Sequence, residues 1–156
     1  MKNILITFLL VFCLFNCTTQ HEKTQVLEFK TTLEQHLASI QSRDLKKLAS
    51  TISDSVMLIF PDGTLLRSKS EFLNFHTSWF ADSAWEVKPS ILRVEESEEL
   101  SYALIKYQYT ELHSAGGEIS TRSNYLQLIF KKYPQGWLLI HDQNTGIRAA
   151  SNDKQE

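Results

Sequence analysis

Between Gln25 and Ser42, apolar residues recur every three or four positions: Val26, Phe29, Leu33, Leu37 and Ile40, with His36 on the same stripe. That spacing predicts an amphipathic helix with one buried face. Arg43-Asp44 interrupts the period, and Leu45, Leu48, Ala49 and Ile52 resume it as a second, shorter helix. Val56 to Phe60 is an apolar run of strand length. It is closed by Pro61-Asp62-Gly63-Thr64, in which Pro fixes φ and Gly is free to take positive φ. Ser70 caps a third predicted helix, which continues through Phe72, Leu73, Phe75, His76 and Trp79.

The second half alternates with a period of two. Ala103, Ile105, Tyr107 and Tyr109 fall on one face of a strand, and Tyr102, Leu104, Lys106 and Gln108 on the other; the first set is predicted to face inward. Ser114-Ala115-Gly116-Gly117 marks a turn into a strand from Ile119 to Lys132, and Tyr133-Pro134-Gln135-Gly136 a turn into Trp137 to Asn144. A further strand is expected over Ile91 to Glu95, and Arg148 to Glu156 reads as a polar, frayed tail. Amphipathic helices followed by long, turn-linked strands predict an α+β domain with an antiparallel sheet covered on one face.

The first residues have a different pattern. Lys2, an apolar run from Ile4 to Phe15 and then Cys17 read as an export signal that ends at a lipid-attachment cysteine. Leu14-Phe15-Asn16-Cys17 resembles the lipobox of bacterial lipoproteins, with Phe15 and Asn16 bulkier than that pattern prefers. The expected organisation is a signal peptide at 1–16, a tether at 17–24 that includes Thr18-Thr19-Gln20, a domain at 25–147 and a tail at 148–156. The mature protein is then expected to sit outside the cytoplasm, lipid-anchored in the cell envelope at the periplasmic or outer membrane. An ordinary signal peptide, with Cys17 incidental, is the plainer alternative.

Composition narrows the chemistry. The chain has two cysteines, Cys13 within the signal and Cys17 at the anchor, which leaves the domain no thiol for a disulfide, a metal site or a nucleophile. Loss of residues 1–16 removes Lys2 and no acid, leaving fifteen cations against eighteen anions, a net −3. A mildly acidic domain offers no electrostatic footprint for nucleic acid.

The Arg43-Asp44-Leu45 helix junction, the Asp54 to Phe60 strand with PDGT after it, and the terminal GWLLIHDQNTG resemble the nuclear transport factor 2-like superfamily. More specifically they resemble its SnoaL-like and ketosteroid-isomerase-like members, over Val26 to Ile147. The resemblance implies a curved sheet wrapped around three helices into a cone, an apolar cavity at the open end, and a homodimer formed through the sheet. It is informative about fold rather than activity, because this fold hosts isomerases, dehydratases, hydrolases and binding domains. The ketosteroid isomerase reaction uses an Asp base, a Tyr and a protonated Asp. Laid without gaps from Arg43 to Gly63, the resemblance puts the basic Asp on Phe60 and the helix-one Tyr on His36. The second Asp belongs on the penultimate strand, where Ile119 to Lys132 contains no Asp or Glu. Steroid-type isomerisation is therefore not expected.

Other residues are candidates for a pocket. Trp137, Leu139, His141 and Gln143 share one face of the last strand by alternation, and Leu138, Ile140, Asp142 and Asn144 the other; either could be the cavity wall. His141, or His36, with Asp142 could act as acid or base. Tyr107, Tyr109, Trp79, Trp85 and Trp137 supply aromatic wall, although core packing is the default reading of such residues. Arg122 and Asn124 share a face, and Arg122 calls for an anion, either Glu111 or a ligand carboxylate. Trp85 follows Ala81-Asp82-Ser83-Ala84 in a predicted loop able to close the mouth. His36, His76 and His141 lack the spacing of a metal helix, and neither metal nor cofactor is expected.

The sequence thus predicts one cavity formed by His36, Tyr107, Tyr109, Arg122, Asn124, Trp137, His141 and Gln143. Three functions fit it: a binding protein for a small apolar or cyclic molecule, an isomerase, dehydratase or hydrolase, and a dimeric interaction module of the envelope.

Overall fold

The computed structural model describes residues 28–113 and 115–148. The expected signal peptide, Cys17, the tether, the start of the first helix at Gln25 and Val26, and the tail beyond Arg148 lie outside the described residues.

Helix α1 spans Phe29–Gln41 and buries Phe29, Leu33, His36, Leu37 and Ile40, the predicted stripe. It ends at the Arg43-Asp44 break. Arg43 takes φ 56°, its N–H returns to the Ile40 carbonyl, and the Asp44 N–H returns to the Ser39 carbonyl. This closure satisfies the last helical carbonyls and puts a non-glycine residue in the left-handed region. The Arg43 side chain is used in compensation: its guanidinium donates to the Ser83 and Trp85 carbonyls and lies 4.0 Å from the centre of the Trp85 ring. Asp44 then caps α2 (Leu45–Ser50) by accepting from the Lys47 N–H.

Ile52, predicted to belong to this helix, instead opens β1 (Ile52–Ile59). The Thr51 hydroxyl bonds the Leu48 carbonyl and stops the helix one residue earlier. After β1 the Pro61-Asp62-Gly63-Thr64 turn forms, with Gly63 at φ 86° and the Asp62 carboxylate accepting from the Thr64 N–H. The turn leads into a two-residue strand β2 (Leu65–Leu66) that the sequence pattern does not reveal. Helix α3 spans Lys69–Ala81, capped by Ser68 rather than Ser70.

Four long strands follow: β3 (Trp85–Glu95), β4 (Leu100–Leu112), β5 (Glu118–Tyr133) and β6 (Gly136–Gly146). They join β1 and β2 in a six-stranded sheet ordered β2-β1-β6-β5-β4-β3. The fold is the expected α+β cone, a curved, unclosed sheet around the helices, with one departure from antiparallel pairing: β1 and β6 are parallel. β3 begins six residues before the predicted Ile91 and so takes in Trp85. Pro89 did not interrupt it because β3 is an edge strand, where a missing N–H is tolerated.

The β4 alternation falls as predicted, with Ala103, Ile105 and Tyr107 buried and Lys106 and Gln108 exposed. The last strand is different. Leu139 pairs with Phe130 and His141 with Ile129, so Ile140 is an extra residue in β6, a β-bulge. A bulge reverses which face later residues occupy. Trp137 and Leu139 face the core before it, and Asp142 does so after it.

Candidate functional site

A cavity of about 530 Å³ lies between helix α3 and the inner face of the sheet, within the usual size range of small-molecule sites. Helix α3 contributes Phe75, His76 and Trp79, the β1 side contributes Leu58, Phe60 and Pro61, and α1 contributes Ile40. The sheet wall is assembled by pairing, since partners in register point to the same face. Asp142 lies between Leu58 and Leu128, Asn144 beside Leu126, Tyr107 beside Asn124, and Tyr109 beside Arg122.

Asp142 is the chemically distinctive group. It is 6% exposed, and its Oδ1 has no hydrogen-bond partner among the described residues. Burial disfavours the carboxylate and pushes its pKa up to about 7, so the group shares a proton with solvent near neutrality. Burial also raises the Tyr107 phenol, and the nearby Tyr109 adds to this. Such a phenol remains a hydrogen-bond donor throughout the physiological range.

His76 is held by its Nδ1, 2.8 Å from the Phe72 carbonyl. A carbonyl only accepts, so Nδ1 carries the hydrogen and Nε2 is left as an unprotonated acceptor on a cavity-lining residue. Burial lowers the His76 pKa to about 4 and keeps the ring neutral. Asn124 donates to Asn144 at 2.8 Å, an amide pair midway along the wall.

Arg122 borders the cavity with its side chain exposed and its guanidinium 4.2 Å from the centre of the Tyr109 ring. It makes no ion pair among the described residues. Glu111, one of the two partners the sequence offered it, instead accepts from Ser120.

Of the residues the sequence assembled into one cavity, the structure brings together Tyr107, Tyr109, Arg122 and Asn124, and it adds Asp142, the acid or base candidate from the other predicted face of the last strand. The others lie elsewhere. The bulge at Ile140 turns His141 and Gln143 to the outer face, where they pair with Ile129 and Gln127. Trp137 faces inward but packs on Phe29, with ring centres 5.6 Å apart, in the closed end of the cone.

His36 is also in the closed end. It is 1% exposed, with Nδ1 2.8 Å from the Thr51 hydroxyl and its ring edge-on to Phe130 at 6.0 Å. The Thr51 hydroxyl hydrogen goes to Leu48, so His36 Nδ1 must be the donor. Burial, and secondarily His76, lowers the His36 pKa to about 3, so it is a neutral packing residue. Trp85 is not a mouth loop. It is 1% exposed and stacks on Trp79 at 4.4 Å. No group of three histidine, cysteine or acidic side chains is placed to hold a metal among the described residues.

The sequence offered Trp79 as aromatic wall, and the structure places it there; it weighed His76 only as a metal ligand and did not single out Phe60 or Phe75 as wall. The α3 stripe of Phe72, Phe75, His76 and Trp79 carried that signal. The family base position, Phe60, does line the cavity, as an aromatic ring edge-on to Phe75 at 4.8 Å. The acid comes instead from β6, beside the strand on which the family's second Asp was sought.

Among solved structures, a ketosteroid isomerase-like protein from Erwinia carotovora atroseptica is similar over 83% of this chain and 99% of its own, at 17% identity and a TM-score of 0.65. An NTF-2 like protein of unknown function from Shewanella oneidensis matches over 74% and 94%, at 16% identity and TM-score 0.62. A conserved protein from Planctomyces limnophilus matches over 76% and 92%, at 21% identity and TM-score 0.64. These likenesses concern the fold. No curated protein matches the chain significantly. Residues 30–144 match the family profile of the SnoaL-like domain, and the chain accordingly belongs to that family.

Proposed function

We propose that this SnoaL-like domain binds a small, largely apolar or cyclic molecule in its cone cavity. The observation that carries the reading is Asp142, a buried carboxyl whose Oδ1 has no partner among the described residues, on the wall of a cavity of about 530 Å³ that is otherwise mostly apolar and aromatic. Such a group raises the free energy of the empty protein and is compensated when a ligand supplies the missing partner. The neutral dye N-phenyl-1-naphthylamine tests it. Its fluorescence should rise on binding to the wild-type protein and fail to rise with a folded Asn144→Phe variant, whose ring would occupy the cavity. Equal binding by both proteins would assign the dye to another surface and remove the support.

A second reading, a small-molecule isomerase or dehydratase, is favoured by one specific arrangement. Asp142 exchanges its proton near neutrality and lines the same cavity as the neutral acceptor His76. The ketosteroid isomerase-like relative is compatible with proton transfer on this scaffold but shares only 17% identity. Deuterium uptake by cyclohexanone next to its carbonyl, abolished in Asp142→Asn, would support enzyme chemistry; uptake unaffected by the substitution would remove Asp142 from it.

The protein is further read as an exported lipoprotein, on Leu14 to Cys17 and the preceding apolar run. Palmitate labelling that disappears in Cys17→Ala would support this, and an unlabelled wild-type protein would contradict it. The outer sheet face supports self-association, because Met57 and Tyr125 are exposed there at 41% and 39%. Tyr102, Leu104 and Ile129 lie half-buried on the same face.

A further inference from the structure

The two charged residues that line the cavity stand far apart on its wall. Asp142 pairs with Leu128, and Arg122 lies six residues from Leu128 along β5, roughly 20 Å of extended chain. The acid is buried, whereas the cation is exposed and rests on the Tyr109 ring. Between them the wall is apolar and aromatic, interrupted by the Asn124–Asn144 amide pair. The cavity therefore has a polarity of its own, with a hydrogen-bonding floor where burial disfavours charge and a positive mouth.

The positive mouth needs explanation, because acids are close at hand and are engaged otherwise. Glu111 accepts from Ser120 and Glu118 from the Thr121 hydroxyl. Arg122 has neither an ion pair nor a hydrogen bond to a side chain among the described residues. Contact with the Tyr109 ring holds the guanidinium, and no side chain among the described residues engages its N–H fork, the arrangement that captures a planar or tetrahedral anion. An anion bound at the floor would meet Asp142, whose own charged form is disfavoured there. An anion at the mouth meets only Arg122.

We infer that the ligand is an elongated organic anion, bound with its carboxylate or sulfonate on Arg122 at the mouth and its uncharged apolar end directed towards Asp142. This deepens the proposed binding function and rests on it. The orientation follows from chemistry at both ends: Arg122 can only donate, while protonated Asp142 and Tyr107 can donate to a neutral carbonyl or hydroxyl and His76 can accept from a hydroxyl.

Two dyes that differ by one anionic group test the inference: 1-anilinonaphthalene-8-sulfonate and its uncharged counterpart N-phenyl-1-naphthylamine. Wild-type protein should bind the sulfonate about tenfold more tightly, as a charge-assisted hydrogen bond provides. The preference should shrink with added salt. Arg122→Gln should bring the ratio of the two affinities close to one, and Arg122→Lys should restore most of it. Equal affinities in the wild-type protein would overturn the anion inference and leave the cavity reading standing. A preference that survives Arg122→Gln would overturn the assignment to Arg122, and binding of neither dye would overturn cavity and anion together.

Discussion

Both ends of the cone bury a histidine, and the two are treated differently. At the closed end His36 donates to Thr51, which donates on to Leu48, and the ring is enclosed by Phe130. At the open end His76 is anchored to its own helix, stacked on Phe72 at 4.2 Å, and lines a cavity. Buried polar atoms without partners occur in several places, at Thr32, His36, Arg43, Ser101 and Asp142, but of these only Asp142 lines the cavity. A polar atom enclosed by packing costs stability and does nothing else. One on a residue that lines a mostly apolar cavity is within reach of a ligand.

Acid should produce the largest effect on this contrast. His36 and His76 have pKa values near 3 and 4 in the folded state, below the usual 6.5, because burial favours the neutral ring. Their contribution is fully present above pH 6.5 and is lost as pH falls towards those folded values, on the order of 6 kcal/mol by pH 4. Asp142 acts in the opposite direction. Its pKa is raised from 3.8 to about 7, so its contribution is present below pH 3.8 and is lost as pH rises through 7. Denaturant titrations from pH 8 to pH 4 should therefore show a net loss smaller than the histidines alone would cause. The same titration of Asp142→Asn should show the full histidine loss, and a variant whose stability is flat across that range would contradict the burial of both histidines.

Asp142→Asn isolates the open end. The substitution removes the disfavoured carboxylate, so the variant should be more stable than wild type at pH 8, by at most about 4 kcal/mol, and no more stable at pH 4. Destabilisation at pH 8 would mean that the carboxylate is held by partners. His36→Ala isolates the closed end. Loss of a packed ring and its hydrogen bond should destabilise by roughly 3 kcal/mol, read as a lowered melting temperature at pH 7. A near-neutral result would show that the closed end tolerates an empty space.

How much of this was legible follows from particular strands. β4 was readable because polar Lys106 and Gln108 alternate with Ile105 and Tyr107, so only one face could be buried. In β6 the run Trp137-Leu138-Leu139-Ile140 is apolar at every position, so the bulge at Ile140 leaves no mark in the pattern. One hidden residue exchanged His141 and Gln143 for Asp142 and Asn144 on the cavity wall. Trp85 was misplaced for a related reason: the short Ala81-Asp82-Ser83-Ala84 run suggested a loop, whereas pairing with β4 and the Arg43 clamp make it strand. The helical stripes, by contrast, carried the core of α1 directly.

The smallest expected effect concerns the outer face. Tyr125→Glu places a charge on an exposed, apolar part of the sheet and should shift any dimer towards monomer in sedimentation velocity while the melting temperature moves little. An unchanged sedimentation coefficient would direct self-association elsewhere.

The claim that the open end is a ligand site built around Asp142 is tested most directly by carbon-13 NMR of the aspartate carboxyls. In the free protein the Asp142 signal should titrate near pH 7, and saturation with N-phenyl-1-naphthylamine should displace it. A carboxyl that titrates near 4 and is unmoved by the dye would contradict the account.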